Sequence, residues 1–204
     1  MKCDPMGAKE VIVPEGITKI HFSAFDECSS LQTVILPDGL EEIGCWAFQE
    51  CSGLQSIVIP ASVTLIERCA FLGCTNLASV SISPCTKVED SSCFERTPWY
   101  KALGEWKIIN GVLLEYTGQE QHITVPDTVT EIAAEAFKRN SSIQSVALPN
   151  SLRVIGRQAF SGRGGLQTIN LPDGLVSIGY AAFERCGSLL SIHIPDSVTE
   201  LGEK

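Results

Sequence analysis

A proline and an Ala-Phe pair recur along this chain of 204 residues with a period of 23 residues. The prolines that mark the period are Pro14, Pro37, Pro60, Pro126, Pro149, Pro172 and Pro195. Eleven residues after each proline except the last comes a phenylalanine preceded by alanine, namely Phe25, Phe48, Phe71, Phe137, Phe160 and Phe183. A repeat of about 20 to 50 residues is typical of solenoids, in which each unit packs on its neighbours. The period therefore predicts one elongated array.

Within each unit, apolar residues keep the same positions relative to the proline. In the unit around Pro37 they are Leu31, Val34, Leu36, Leu40, Ile43, Ala47 and Phe48. The segment 34–36 alternates inward and outward, which predicts a short strand, and the proline ends that strand because it cannot donate to a ladder. Residues 47–51 leave room for about one helical turn. We expect the phenylalanines, with Phe94 included, to stack as an internal spine.

The consensus of these units resembles the BspA-like (treponemal-type) leucine-rich repeat. It reads L-x-x-V/I-x-I/L-P-x-G/S-V/L-x-x-I-G-x-x-A-F-x-x-C and covers nearly the whole chain outside residues 84–125. Where other leucine-rich repeats place Asn, this chain has Gly39, Ser62, Ser151, Gly174 or Ser197, which fits the BspA-like class. The resemblance implies a β-rich α/β leucine-rich-repeat solenoid. Its parallel sheet would lie on the concave side, with short strands or helical turns on the convex side.

The period slips once, after a degraded fourth unit in which Ser83 takes the proline position and Cys93-Phe94 the Ala-Phe position. Beyond it, Asn110-Gly111 lies between two apolar runs, which predicts an inserted β-hairpin with a type I′ turn near 105–116. We expect the solenoid to continue across this segment as a single domain, 1–204. Its parts are the first repeats 1–96, an irregular segment 97–125, and a second repeat block 126–204.

Four of the six Trp and Tyr residues lie in the irregular segment, namely Trp99, Tyr100, Trp106 and Tyr116. Trp and Tyr are enriched at interface hot spots, so these residues are candidates for partner binding, and a glycan is an alternative ligand for them. The favoured interpretation is that they pack the hairpin against the solenoid, because an isolated hairpin is marginally stable.

Composition excludes several functions. The formal net charge of −9 disfavours nucleic-acid binding, since no basic stripe can displace counterions. No apolar run approaches the roughly 20 residues needed to cross a membrane, and residues 1–5 do not begin a signal peptide. The chain stops at Lys204 before its last unit reaches an Ala-Phe pair, which suggests a trimmed fragment or a frayed end.

Nine cysteines are present, and four of them share the position three residues after the spine phenylalanine: Cys28, Cys51, Cys74 and Cys186. We expect this column to be buried thiols, because free cysteine behaves as a small hydrophobic residue. The count includes Cys3, is odd, and contains no C-x-x-C pair, so we expect neither a zinc site nor any other cofactor. Unpaired cysteines favour a reducing compartment such as the cytoplasm, whereas the family resemblance implies secretion or the cell surface.

No catalytic motif stands out. His122 and His193 lie three coils apart, about 14 Å at the strand spacing of a sheet, which is too far for a dyad or a shared metal. The sequence also lacks G-x-S-x-G and H-E-x-x-H motifs and a phosphate-binding glycine loop. We therefore expect a protein that is not an enzyme.

The outward strand positions favour binding instead. Two residues before successive prolines come Ile12, Ile35 and Val58, an apolar stripe on an otherwise almost uncharged face. Such a stripe is a candidate protein contact, although β-branched residues also simply suit strands. The sequence thus predicts a non-catalytic protein-interaction module that binds through the concave sheet or the hairpin. The resemblance implies adhesion to a host or bacterial surface protein; a glycan-binding module and a structural spacer are the alternatives, and the oligomeric state stays open.

Overall fold

The computed structural model describes residues 7–203, so Cys3 and Lys204 lie outside the described residues. The chain forms two compact units, Met1–Gly104 and Glu105–Lys204. Each unit is a β-rich solenoid with parallel sheets and little helix, as the repeat predicts. The single domain over 1–204 and its internal boundaries remain a prediction.

In the first unit every coil contributes one strand of three residues and one of two residues. The three-residue strands are β1 (Glu10–Ile12), β3 (Thr33–Ile35), β5 (Ser56–Val58) and β7 (Ser79–Ser81). The two-residue strands are β2 (Lys19–Ile20), β4 (Glu42–Ile43), β6 (Leu65–Ile66) and β8 (Lys87–Val88). All pairings between coils are parallel, and the two-residue strands form one sheet in the order β2-β4-β6-β8. We call the surface of the three-residue strands the long-strand face.

The first unit ends in a 3₁₀ turn at Ser91–Phe94 and a short helix, α1 (Pro98–Ala102). Thr97 caps this helix, because its side chain accepts a hydrogen bond from the backbone N–H of Tyr100, and Pro98 occupies the first helical position. This helix is the only α-helix among residues 7–203.

The second unit begins with the predicted hairpin, β9 (Trp106–Ile109) and β10 (Val112–Tyr116). Its three-residue strands are β11 (His122–Thr124), β13 (Ser145–Ala147) and β15 (Thr168–Asn170). Its two-residue strands are β12 (Glu131–Ile132), β14 (Val154–Ile155), β16 (Ser177–Ile178) and β17 (Glu200–Leu201). The hairpin extends this sheet, since β10 pairs in parallel with β12 and antiparallel with β9.

The turn of the hairpin follows from its two central residues. Asn110 and Gly111 have φ angles of 52° and 79°, the left-handed conformations that a type I′ turn requires. The prediction of a hairpin near 105–116 is confirmed.

The phenylalanine spine forms the centre of both cores. In the first unit the ring centroids of Phe25, Phe48, Phe71 and Phe94 follow one another at 5.0, 5.2 and 5.1 Å, nearly parallel. In the second unit, Phe137, Phe160 and Phe183 follow at 4.6 and 5.4 Å. The prediction of one stacked phenylalanine per coil is therefore confirmed.

The segment around each Ala-Phe pair is a run of tight turns rather than a helix. In the second coil, the N–H groups of Trp46, Phe48 and Glu50 donate to the next coil's carbonyls at 68, 70 and 72. The N–H groups between them, at 47, 49 and 51, donate to carbonyls three residues back in their own coil. Trp46 and Glu50 have φ angles of 59° and 53°, so left-handed residues flank the Ala-Phe pair. The alternation satisfies every N–H in the segment.

Candidate partner-binding surface

The long-strand face of the first unit alternates between core and solvent. The central residues of β3 and β5, Val34 and Ile57, are buried, and the residues on either side of each are exposed. This is the pattern that a strand with one covered face must show, since successive side chains point to opposite sides. The outward side chains thus do not pack in the core.

Three of these outward positions form an exposed apolar stripe. Ile12, Ile35 and Val58 are 64%, 47% and 69% exposed. Ile12 lies directly opposite Ile35 in the pairing of β1 with β3. Strand β5, which carries Val58, packs beside β3. The sequence prediction of an exposed stripe on adjacent coils is consistent with this placement, and we call these three residues the apolar stripe.

The surroundings of the apolar stripe carry little charge. The exposed residues before Ile35 are Gln32 and Thr33, and those before Val58 are Gln55 and Ser56. The next coil along presents Ser79 and Ser81. Ionisable side chains enter these exposed columns only in the first coil, at Lys9 and Glu10. The face can therefore bury against an apolar surface without desolvating charged groups in its central coils.

The corresponding face of the second unit is polar. Thr124, Ala147 and Asn170 hold the positions of the apolar stripe, and His193 follows them. One column away, the His122 ring nitrogen Nδ1 lies 2.8 Å from Ser145 Oγ, so neighbouring coils form a hydrogen bond on the surface. The two units thus present different chemistry on the same backbone.

The four aromatic candidates of the irregular segment lie against the spines of their own units. In the first unit, Trp99 meets Phe94 edge to face at 4.8 Å, and Tyr100 is only 4% exposed. In the second, Trp106 lies 4.2 Å from Tyr116, which packs on Phe137 and is 1% exposed. This placement favours packing over a contact patch, because a partner cannot reach the rings of Tyr100 and Tyr116.

The hairpin also buries two charged residues that the sequence did not single out. Lys107 and Glu115 lie opposite each other across β9 and β10, and both are more than nine-tenths buried. The Arg139 guanidinium lies 3.4 Å from the Glu115 carboxylate. Opposite charges in these positions lower the cost of burying either one. These three charged side chains therefore help to hold the hairpin in its sheet.

A second exposed apolar contact was missed from the sequence. Phe22 and Trp46 lie on adjacent coils, two residues and one residue before their respective Ala-Phe pairs, and their ring centroids are 4.8 Å apart. Phe22 is 62% exposed. The sequence did contain a signal for this contact. Phe22 is the one phenylalanine outside the spine, and Trp46 is the one tryptophan outside the irregular segment.

The cysteine column is buried as predicted in the first unit. Cys28, Cys51 and Cys74 are buried, and Cys186 is half-buried in the last coils of the second unit. Each thiol of Cys51, Cys74 and Cys186 donates to the carbonyl of a spine phenylalanine one coil back, at 3.1, 3.0 and 3.2 Å. Burial raises the pKa of Cys74 to about 12, so this thiol stays protonated. The column therefore serves as scaffold.

Neither a metal site nor a membrane span was found in the part of the chain that the structure describes. Within residues 7–203, no group of three or more His, Cys, Asp or Glu side chains is arranged to hold a metal ion. None of the helices formed by these residues has the length and apolar character to cross a bilayer.

A family model agrees with this architecture, and several solved structures are similar to the chain. The family model described as BspA type leucine-rich repeat region matches residues 4–103 and 107–204, in six copies. Similar solved structures include a leucine-rich repeat protein from Bacteroides ovatus (24% identity, TM-score 0.47) and the pneumococcal vaccine antigen PcpA (22%, 0.48). Another is a leucine-rich cell surface protein from Faecalibacterium prausnitzii (22%, 0.38).

The matches extend over most of this chain and over part of each relative. They cover 95%, 95% and 96% of this chain, and 57%, 58% and 60% of the respective relatives. The chain thus spans about three fifths of their length. No match was found among curated proteins.

Proposed function

Because the chain belongs to the BspA-type leucine-rich repeat family, we propose that it is a non-catalytic protein-interaction module whose partner binds along the apolar stripe. Leucine-rich repeat domains generally bind proteins and are generally non-catalytic. The observation that carries the proposal is the exposure of Ile12, Ile35 and Val58 on adjacent coils, with Ile12 directly opposite Ile35.

The energetics favour a protein partner over a charged ligand. Full burial of a Val or Ile side chain contributes about 1.5–3 kcal/mol, so three partly exposed side chains can anchor a small interface. The Gln, Ser and Thr side chains around them supply hydrogen bonds at the rim, which is the usual anatomy of an interface. The partner therefore presents an apolar, weakly charged surface.

A double variant tests the stripe. Ile35→Asp/Val58→Asp places two charges on the proposed interface and should abolish partner capture, because each carboxylate would have to be desolvated. Both residues are exposed, so we expect the free energy of unfolding to change by no more than about 0.5 kcal/mol per site. The measurement is a pull-down from bacterial envelope and host-cell extracts, with quantitative mass spectrometry of each captured protein.

The matched control is Ala147→Asp/Asn170→Asp, which introduces the same charges at equivalent positions of the second unit. Proteins that bind along the stripe are captured by the wild type and by this control, and lost with the first variant. Equal capture by all three chains would contradict the proposed site.

Location at the cell surface and a role in adhesion belong to the same proposal. Their support is family membership. The test is to express the chain in its native full-length context and to label intact cells with an antibody against it. Adhesion is then measured with the Ile35→Asp/Val58→Asp variant, which should reduce attachment while surface labelling stays constant.

A further inference from the structure

Two cysteines of the first unit differ from the buried column. Cys45 and Cys69 are half-buried, and they lie before the Ala-Phe pair rather than after it. Cys45 is two residues before Ala47 in the second coil, and Cys69 directly precedes Ala70 in the third. Neither is part of the apolar stripe.

In the preceding pair of coils, the side chains in these two positions meet. Phe22 and Trp46 occupy the same two positions one coil earlier, since each lies 23 residues before its counterpart. Their rings are in contact, with centroids 4.8 Å apart. The pair Cys45 and Cys69 therefore stands where the fold brings two side chains of adjacent coils together.

Backbone hydrogen bonds establish that the two pairs are equivalent. The Ser23 N–H donates to the Cys45 carbonyl at 3.0 Å, and one coil later the Trp46 N–H donates to the Arg68 carbonyl at 3.3 Å. The second of these bonds holds the peptide after Cys45 against the peptide before Cys69. Cys69 lies one residue beyond the direct counterpart of Cys45, so a coil spacing of about 4.8 Å and one residue step of about 3.8 Å give a Cα separation of roughly 6 Å. Disulfides span Cα separations of about 4.4–6.8 Å.

Electrostatics agree with this proximity. Burial, and then the negative charge of a Cys69 thiolate, raise the pKa of Cys45. The Cys69 sulfur is therefore close enough to Cys45 to disfavour the Cys45 thiolate.

We propose that Cys45 and Cys69 form an oxidisable thiol pair that closes to a disulfide between the second and third coils. With a low-molecular-weight disulfide as oxidant, one thiolate attacks a sulfur of the oxidant and releases its first thiol. The second cysteine then attacks the mixed disulfide, forms the Cys45–Cys69 bond and releases the second thiol. Two protein thiols are oxidised, and the S–S bond of the oxidant is reduced to two thiols.

Other cysteines of the unit are poorer candidates for this chemistry. Cys51 and Cys74 are buried with their thiols engaged by carbonyl groups, and the high pKa of Cys74 leaves little thiolate. Cys85 is exposed and serves as a built-in measure of thiol reactivity toward the oxidant.

The test is peptide mapping of the full chain after incubation with oxidised glutathione at pH 8. The sample is quenched with acid, alkylated with N-ethylmaleimide, and digested with trypsin and a Glu-specific protease. Cleavage releases peptide 43–50, whose only cysteine is Cys45, and peptide 69–87, which contains Cys69. We expect these peptides to be joined. Apart from the adducts carried by Cys74 and Cys85, the mass should be two hydrogens below the sum of the reduced peptides, and fragmentation should place the bond at Cys69.

Matched variants decide between cysteines. Cys69→Ser should abolish the cross-link, whereas Cys74→Ser should retain it, and circular dichroism checks that both variants fold. Oxidation should also raise the Tm of the wild type by several degrees and leave that of Cys69→Ser unchanged, because a cross-link restricts the unfolded chain. A cross-link that persists in Cys69→Ser, one confined to covalent dimers, or free Cys45 and Cys69 after Cys85 is consumed would each overturn the proposal.

Discussion

The two units share an interior and differ on the surface. Phe48 in the first unit and Phe160 in the second each lie between two neighbouring spine rings, and both are fully buried. On the long-strand face, however, Ile35 corresponds to Ala147, and Val58 to Asn170. The repeat thus constrains what points inward, because each coil must fit the next, and leaves outward residues free to differ. Differences between the units are where function is to be sought.

The largest expected effect tests the shared interior. Phe48→Ala and Phe160→Ala each remove a buried ring from the middle of a spine, so each should lower the free energy of unfolding by about 3–5 kcal/mol. Denaturant unfolding, followed by circular dichroism, measures both. Markedly different losses would show that the two interiors are not energetically equivalent.

A medium effect is expected at the left-handed positions beside the Ala-Phe pairs. Gln158 has a φ angle of 53°, so Gln158→Val should destabilise the chain by about 1–2 kcal/mol, because a β-branched residue is strained there. Gln158→Gly should leave stability unchanged or raise it, since glycine adopts this conformation freely. Unfolding free energies check both, and Arg157→Val is the control at an exposed neighbour. A Gln158→Val loss no larger than that of the control would contradict the assigned strain.

The smallest effect concerns an ion group of the first unit. The Lys19 ammonium contacts the Glu42 carboxylate and lies 3.7 Å from that of Glu67. Hydrogen bonds to the side chains of Glu67 and Lys19 lower the pKa of Glu42. The resulting stabilisation is present above the pKa of Glu42 in the unfolded chain and is lost as the pH falls through its lowered value in the folded protein.

Unfolding free energies between pH 6 and about pH 2 measure this contribution. The difference between wild type and Glu42→Gln should shrink toward acid pH, and by a small amount because these groups are partly exposed and solvent screens their interaction. A difference that stays constant over this range would show that Glu42 contributes no pH-dependent stability.

Much of the architecture could be predicted because its determinants are local or periodic. The Asn110-Gly111 pair specifies the hairpin turn by its own backbone preferences. The spine follows from the recurrence of phenylalanine at one position, since identical coils stack identical residues. The prolines likewise mark where each strand ends.

Glycine, the usual signal for a left-handed residue, marks only two of the left-handed positions beside the Ala-Phe pairs, Gly73 and Gly162. At the other positions the chain has residues such as Trp46, Glu50 and Gln158, all with positive φ. Their conformation is imposed by alternate N–H groups that donate to the neighbouring coil, which is a tertiary effect. The usable signal was the absence of Val, Ile and Thr from these positions.

The candidate surface was only partly predictable. The apolar stripe follows from strand alternation, but the contact between Phe22 and Trp46 joins different positions on adjacent coils. An alignment of the repeats pairs residues that are 23 positions apart. It does not show contacts between residues that are 24 positions apart, such as Phe22 and Trp46. The same relation places Cys45 near Cys69, which the sequence had left among unassigned thiols.

The alternating hydrogen bonds beside the Ala-Phe pairs give each coil a direction. Donors at 46, 48 and 50 serve the carbonyls of the following coil, and the carbonyls of the same segment receive donors from the coil before it. Each such coil thus has one side whose N–H groups donate to the next coil and one side whose carbonyl groups accept from the previous coil. A gene that gains or loses one 23-residue unit within a block therefore changes the length of the array while every remaining coil keeps the same kind of neighbour on each side.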